Sequence, residues 1–338
     1  MRAYRLFATV IAAAIVATSC NNDFSPNAEW RETMVVCGLL DQDEDTTWIR
    51  VQKCFLGEGD MLAMTSIMDS SNYAEGELSV RMVEWNADSL ANGLLKKTSE
   101  TGKVFDFEYK LLTNKAEGGF YAPNQPVYCC RTKNQLKTNK VYELRIHNNK
   151  TGTAVNAETS LIGNLDANAI KVNNNSIGVF TFSQGKAAIT WPRTQRARVF
   201  QPMLRFYYRN VDSDSMLHAD ILFTMKEVTN ELQLSTQLSR ATFGNELSKA
   251  ITDHETPKIM GDTITLFLFA GDENFKMYRS ISAPPSTIVQ ERGIYTNING
   301  GLGIFASRRT HIKRDLEVPP NTSDANYRGY IKSLDIGF

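Results

Sequence analysis

Cysteine, histidine and long apolar runs are all scarce in this 338-residue chain. Each scarcity removes a class of function. The five cysteines form no CxxC pair, so a zinc ribbon has no ligand set. The four histidines, His147, His218, His254 and His311, lie far apart, and His254-Glu255 lacks the second histidine of an HExxH zinc site. There is no G-x-S-x-G elbow and no phosphate-binding P-loop. Gly300-Gly301-Leu302-Gly303 has neither the following helix nor the acidic partner of a dinucleotide fingerprint. Glycines there read as a bend or a close backbone approach in a strand. Basic and acidic residues are equal in number, 37 each, which gives no electrostatic case for a nucleic-acid partner. These gaps leave no expected catalytic residue, metal ligand or cofactor.

No apolar run reaches the roughly 20 residues that a membrane-spanning helix needs. What is present instead is a short one at the start. Arg2 and Arg5 form a positive head, Leu6 to Ala17 is uncharged and apolar, and Ala17-Thr18-Ser19 leads into Cys20. That order is a secretory signal over residues 1–19. Ala17-Thr18-Ser19-Cys20 resembles a lipobox, so Cys20 is the expected lipidation site, with acyl chains holding the chain in a bilayer. Residues 20–29 then serve as a polar tether. Removing the signal takes away Arg2 and Arg5, leaving 35 basic against 37 acidic side chains. The expected compartment is oxidising, which permits disulfides. Cys37 and Cys54, however, fall about four residues out of register in the expected hairpin, roughly 13 Å apart. Adjacent Cys129 and Cys130 rarely bridge, so these four cysteines read as small buried hydrophobes.

From Trp30 the texture is β. Thr33–Leu40 and Thr47–Phe55 flank the acidic turn Asp41-Gln42-Asp43-Glu44-Asp45 and predict a hairpin. Ser79–Trp85, Val104–Leu112, Val127–Cys130, Lys140–His147 and Ala154–Leu161 add further short strands, with Tyr142, Leu144 and Ile146 on one face. This spacing predicts an immunoglobulin-like or fibronectin-like β-sandwich over residues 30–163. The Asn- and Ala-rich stretch from Asn164 marks the boundary to a second β-rich domain, 164–338, with one or two short helices. The apolar positions Phe243, Leu247 and Ile251 predict one of them over Thr242–His254, capped by Thr242 or Asn245 and with His254 near its C-terminus. Thr263–Gly271 is the most apolar strand and belongs at the centre of a sheet.

Three clusters invite functional readings. Asp41, Asp43 and Asp45 alternate, but Thr46 and Gln52 occupy the positions where a calcium loop needs Gly and Glu, so a solvated turn is expected. The basic run Ser307–Arg314 reads as a solvated loop that could meet anionic headgroups or an acidic partner. The aromatics Phe200, Phe206, Tyr207 and Tyr208 read as core. The alternation Tyr330, Lys332, Leu334, Ile336, Phe338 reads as a closing strand.

Several of these segments together resemble a family of lipoproteins from the Bacteroidota known only as a domain of unknown function. The segments are Trp30, Val35-Val36, Leu39-Leu40, Trp48–Lys53, Gly119–Ala122, Tyr142–Leu144, Asn149–Gly152, Tyr295–Ile298 and Gly300–Ser307. The resemblance implies an outer-membrane address, an Ig-like module followed by a larger β domain, and gene neighbours encoding TonB-dependent receptors. It supplies no catalytic residues. The expected function is a binding or accessory module whose partner is an outer-membrane receptor or a surface glycan. The alternative is an envelope hydrolase with a site in the second domain.

Overall fold

A computed structural model describes residues 33–54, 66–113, 115–118, 121–173, 179–182, 185–282, 293–318 and 327–338. Cys20, the signal and the tether lie outside the described residues. Among the described residues the protein is mainly β, with sixteen strands in three sheets.

The first eight strands are β1 (Thr33–Leu40), β2 (Thr46–Cys54), β3 (Leu78–Ser89), β4 (Leu95–Asp106), β5 (Glu108–Leu112), β6 (Gln125–Arg131), β7 (Lys140–Asn148) and β8 (Ala154–Ser160). They pair as β1-β2-β6-β5 and β4-β3-β7-β8. That is the strand order of an Ig-like sandwich carrying an extra strand beside the third. The run expected as one strand over Val104–Leu112 is two. Phe107 is buried and donates its N–H to the Val80 carbonyl, and there the chain crosses from one sheet to the other. Alternation decides the faces: Met34, Val36, Leu40, Ile49 and Val51 point inward, all at most 1% exposed. Tyr142 on β7 is fully buried, and its hydroxyl accepts the Lys137 N–H at 2.6 Å and donates to Glu84 Oε2 at 3.1 Å. This tyrosine corner locks the loop before β7.

The cysteines differ from expectation. In the β1–β2 register Cys37 faces Arg50 and Cys54 faces Thr33, so the four-residue offset holds. All four described cysteines are free, but Cys37 and Cys54 are exposed and Cys129 and Cys130 half-buried. Cys37 alternates with core residues Val36 and Met34 and so falls on the outward face.

The second unit contains β9 (Lys171–Val172), β10 (Lys186–Pro192), β11 (Val199–Asn210), β12 (Leu217–Leu222), β13 (Lys226–Glu227), β14 (Gln233–Ser239), β15 (Lys258–Gly271) and β16 (Leu302–Glu317). β14-β10-β9 is a three-stranded sheet. It shares one core with β11, β15 and the second half of β16, filled by Trp191, Phe180, Phe200, Phe206 and Phe243. Four helices complete the described residues: α1 (Met68–Ser71), α2 (Arg240–Ala250), α3 (Glu273–Ser282) and α4 (Tyr327–Lys332). α2 begins earlier than expected, because Ser239 and not Thr242 is its cap and accepts the Thr242 N–H at 3.0 Å. His254 Nε2 lies 2.6 Å from the Ile251 carbonyl, just past the helix end. The expected closing strand at Tyr330 is instead the helix α4. Ile331 and Ile336 are buried, and Phe338 packs edge-on to Phe206 at 5.6 Å. Gly244 makes room for it, since a Cβ there would lie 2.3 Å from the Tyr330 hydroxyl.

The basic run Ser307–Arg314 is not a loop. It is the middle of β16, the strand that joins the two units. Residues Leu302–Ser307 pair in parallel with β1, and Arg308–Glu317 pair antiparallel with β15. The result is one nine-stranded sheet whose main path runs β12-β11-β15-β16-β1-β2-β6-β5, with β13 paired to β11 off that path. β16 thereby covers the edge that β1 would otherwise expose. The chain divides between the two cores at Leu161 and Ile162, except that Phe305 and Ile298 return to the first. Gly303 fits this seam at φ +104°, where a Cβ would stand 2.0 Å from the Val36 carbonyl oxygen. The expected close backbone approach of the glycine stretch is real.

Candidate binding surface

The outward face of the nine-stranded sheet collects what its alternation leaves out of the cores. On β2, Ile49 and Val51 turn inward, so Trp48 and Arg50 turn outward. On β15, Leu266 and Leu268 turn inward, so Phe267 and Phe269 turn outward and stack at 6.0 Å with 11° between planes. Trp48 is 39% exposed and Phe269 36%. Large aromatics left in water on a sheet face are informative in a way that scattered leucines are not.

Three depressions adjoin across this face. A trough of about 410 Å³ is lined by Cys37, Asp41, Glu44, Trp48, Arg50, Gln125 and Arg308 among others. Beyond Trp48 a second, of about 290 Å³, holds Glu108, Lys110, Cys129 and Arg131. Thr46 and Trp48 line both. On the other side a cleft of about 200 Å³ is lined by Gln201, Phe269, Phe275 and Thr310, and shares Leu39 and Arg308 with the trough. Crossing from β6 to β15 takes four strand spacings, roughly 19 Å in all. The groove therefore runs across the strands, with Trp48 near one end and Phe269 near the other.

Its electrostatics are uneven. The acidic turn and the basic run singled out in the sequence meet here. Arg308 donates to Glu44 at 2.9 Å and lies 3.8 Å from Asp41, Arg309 pairs with Asp43 at 2.8 Å, and Lys133 with Asp45 at 2.7 Å. Asp43, Glu44 and Asp45 are thus each committed to a basic side chain. Asp41 is 4% exposed; burial pushes its carboxyl up, against the pull of the Asp43 N–H and Arg308. Farther along, Arg205 forks onto Asp220 with two bonds of 2.7 Å and lies 4.9 Å over the Phe267 ring.

Arg50 is the exception. Among the described residues it has no ion pair, and its Nε is buried without a hydrogen-bond partner. A buried donor left unmade costs about 1–3 kcal/mol. Lys115 stands close enough that its ammonium is held below the ordinary lysine value, by burial first and by the Arg50 charge second. Cys37, opposite Arg50, is exposed as a residue, but the walls of the trough partly desolvate its thiol and raise it above the ordinary value, and Arg50 only partly offsets this. Cys129 and Cys130 are likewise raised by burial. No thiolate nucleophile is prepared at any of the three.

The histidines are not brought together, and no group of three or more His, Cys, Asp or Glu among the described residues could hold a metal. His311 is buried on β16, its Nε2 without a partner, and burial lowers its ring to about 4. Phe200 and Phe206 are core, while Tyr207 and Tyr208 are half-buried. Trp48 and Arg50 went unnoticed as site residues in the sequence. Their signal was present in Thr47–Phe55, where an inward Ile49 and Val51 strand a tryptophan on the wet face.

No family model and no curated protein matches the chain. Among solved structures, it is similar to a cytokine receptor complex in two crystal forms. Identities are 9% and 8%, with 71% and 70% of this chain and 86% and 90% of those chains covered, and the TM-score is 0.19 in both. It is also similar to CBD12 from CALX1.2, at 8% identity, 76% and 90% coverage and a TM-score of 0.17. Overlaps this loose carry no functional argument. No helix among the described residues is long and apolar enough to cross a membrane.

Proposed function

We propose that this protein is a lipid-anchored binding module of the outer membrane that holds a polysaccharide along the outward face of its nine-stranded sheet. The observation that carries the reading is the continuity of the three depressions across Trp48 and Arg308. A groove that is long, open and studded with aromatic side chains suits a chain-shaped ligand. Sugar rings present C–H faces that pack on the negative face of an aromatic ring, and hydroxyls that pair with Gln125, Gln201 and Thr310. Acyl chains on Cys20 keep the module at the membrane, and a TonB-dependent receptor is the recipient that the family resemblance implies. A hydrolytic reading has less support: Arg308, Arg309, Gln201 and Thr310 supply the polar lining of the second unit's cleft, and no carboxylate lines it.

Affinity electrophoresis of the full chain in gels containing individual polysaccharides tests the binding. Retardation by at least one polymer, abolished in Trp48→Ala, is expected. Migration unchanged by every polymer would overturn the reading. The anchor is tested separately: Cys20→Ala should lose labelled palmitate and leave the membrane fraction, and retention there would sink it.

A further inference from the structure

Resting on that reading, we propose that the trough between Cys37 and Trp48 is a subsite for a carboxylate-bearing sugar, a uronic acid unit, with its carboxylate on Arg50 and its ring on Trp48. Arg50 offers five donors in a planar fork, the geometry that matches a carboxylate. Three other arginines on this sheet already have an acid: Arg205 has Asp220, Arg308 has Glu44, Arg309 has Asp43. Arg50 lines the trough without an ion pair among the described residues, and its buried Nε has no hydrogen-bond partner among them. A guanidinium in that state is complementary to an anion brought from outside.

The neighbours choose which anion. Trp48 alternates with Arg50 on one face of β2, so a ring stacked on the indole can present a substituent to the guanidinium. Lys110 lies over the same indole at 5.5 Å and adds positive charge at that end. The opposite wall is acidic, with Asp41 and Glu44 held by the single cation Arg308. Those carboxylates accept hydrogen bonds from sugar hydroxyls but repel a doubly charged phosphate. A singly charged carboxylate on a hydroxyl-rich ring satisfies both walls.

The test compares one polymer in two forms: polygalacturonate and its fully methyl-esterified counterpart, with alginate as a second uronate and a phosphorylated mannan as a phosphate control. The full chain is titrated against each by calorimetry. Tighter binding of at least one uronate than of the ester, by at least tenfold, is expected. Arg50→Gln should remove that advantage without lowering the melting temperature, weakening acid binding at least tenfold more than ester binding. Equal affinity for acid and ester overturns the uronate assignment and leaves the polysaccharide reading standing. So does preference for the phosphorylated mannan, or an acid preference that survives Arg50→Gln. Absence of binding to all four overturns the assignment, and continued binding to other polymers in gels separates that result from failure of the broader reading.

Discussion

Arg50 and Arg205 occupy matching places in the two halves of the nine-stranded sheet. Each points outward from a strand whose alternate residues fill a core, and each has an outward aromatic close by, Trp48 for one and Phe267 for the other. Their partners differ. Arg205 is forked onto Asp220 across the β11–β12 register and holds that carboxyl well below the usual range. Arg50 faces Cys37 across the β1–β2 register and finds no acid among the described residues. One arginine is part of the scaffold. The other is a cation kept available at the bottom of a cavity. What separates the two positions is neutralisation: Arg205 is paired, and Arg50 is not among the described residues.

The comparison requires that the two halves be one sheet, and the largest effect should come from breaking the seam. Gly303→Ala puts a Cβ against the Val36 carbonyl at a positive φ. Strain and clash together should cost about 4 kcal/mol. Urea denaturation should show a large drop in midpoint, and gel retardation by polysaccharide should fall with it. A midpoint within 0.5 M of wild type, an order-of-magnitude threshold set by ordinary m-values, would mean that β1 and β16 are not tightly paired.

A second lock lies under the seam. Asp272 is 6% exposed and accepts from the Ser307 N–H at 2.8 Å, the Thr159 hydroxyl at 2.9 Å and the Phe275 N–H at 2.8 Å. It ties β8 of the first unit to β16 and to the start of α3. Burial outweighs these bonds and leaves its carboxyl above the usual range. Asp272→Ala strands three donors, two of them buried, and should cost about 3 kcal/mol, read by the same denaturation. A loss below about 1 kcal/mol would show that water replaces the carboxylate at no cost.

Much of this was legible in the sequence, and the failures share a cause. Period-two alternation gave β3 and β7, β-branched residues around an acidic turn gave the β1–β2 hairpin, and a continuous apolar run gave β15. Glycines at 300–303 announced a close approach. What sequence could not give was pairing at long range. The run Arg308–Arg314 looked like a solvated loop because its charges have no partner nearby in sequence; they lie more than 260 residues from Asp43 and Glu44. The C-terminal Tyr330–Phe338 shows period two by coincidence: its start belongs to the helix α4, packed at Gly244, and the rest is an irregular tail that places Phe338 on Phe206. The subsite was hidden for a third reason: an arginine reads as a site only when its missing acid can be seen.

The inward side of β16 sharpens the contrast by a different route to neutrality. His311 is buried between Arg309 and Lys313 on one face of the strand, and its ring is lowered to about 4 from an ordinary 6.5, by burial and by Arg309 against the weaker pull of Asp43. The folded state therefore binds fewer protons than the unfolded chain between those values. Its contribution is present above pH 6.5 and lost as pH falls towards 4, up to about 3 kcal/mol. Melting temperature followed from pH 7 to pH 4 should fall in wild type and fall less in His311→Leu. Parallel slopes would remove His311 as the acid-sensitive group.

The smallest effect tests the comparison itself, with no ligand present. Arg205→Gln breaks a forked pair that is partly exposed, and should cost about 1 kcal/mol or less after screening. Asp220 would lose the guanidinium that lowers it, so the loss should appear at neutral pH and vanish as the carboxyl protonates in acid. Arg50→Gln removes a charge that has no ion pair among the described residues, and relieves a buried donor without a partner among them. Its stability should stay within about 0.5 kcal/mol of wild type or rise. Opposite signs in the two variants, read by urea midpoint at pH 7, would mark Arg205 as scaffold and Arg50 as a group held against the protein's own stability. Equal losses would mean that Arg50 has a partner in the folded chain, and the trough would lose its free cation.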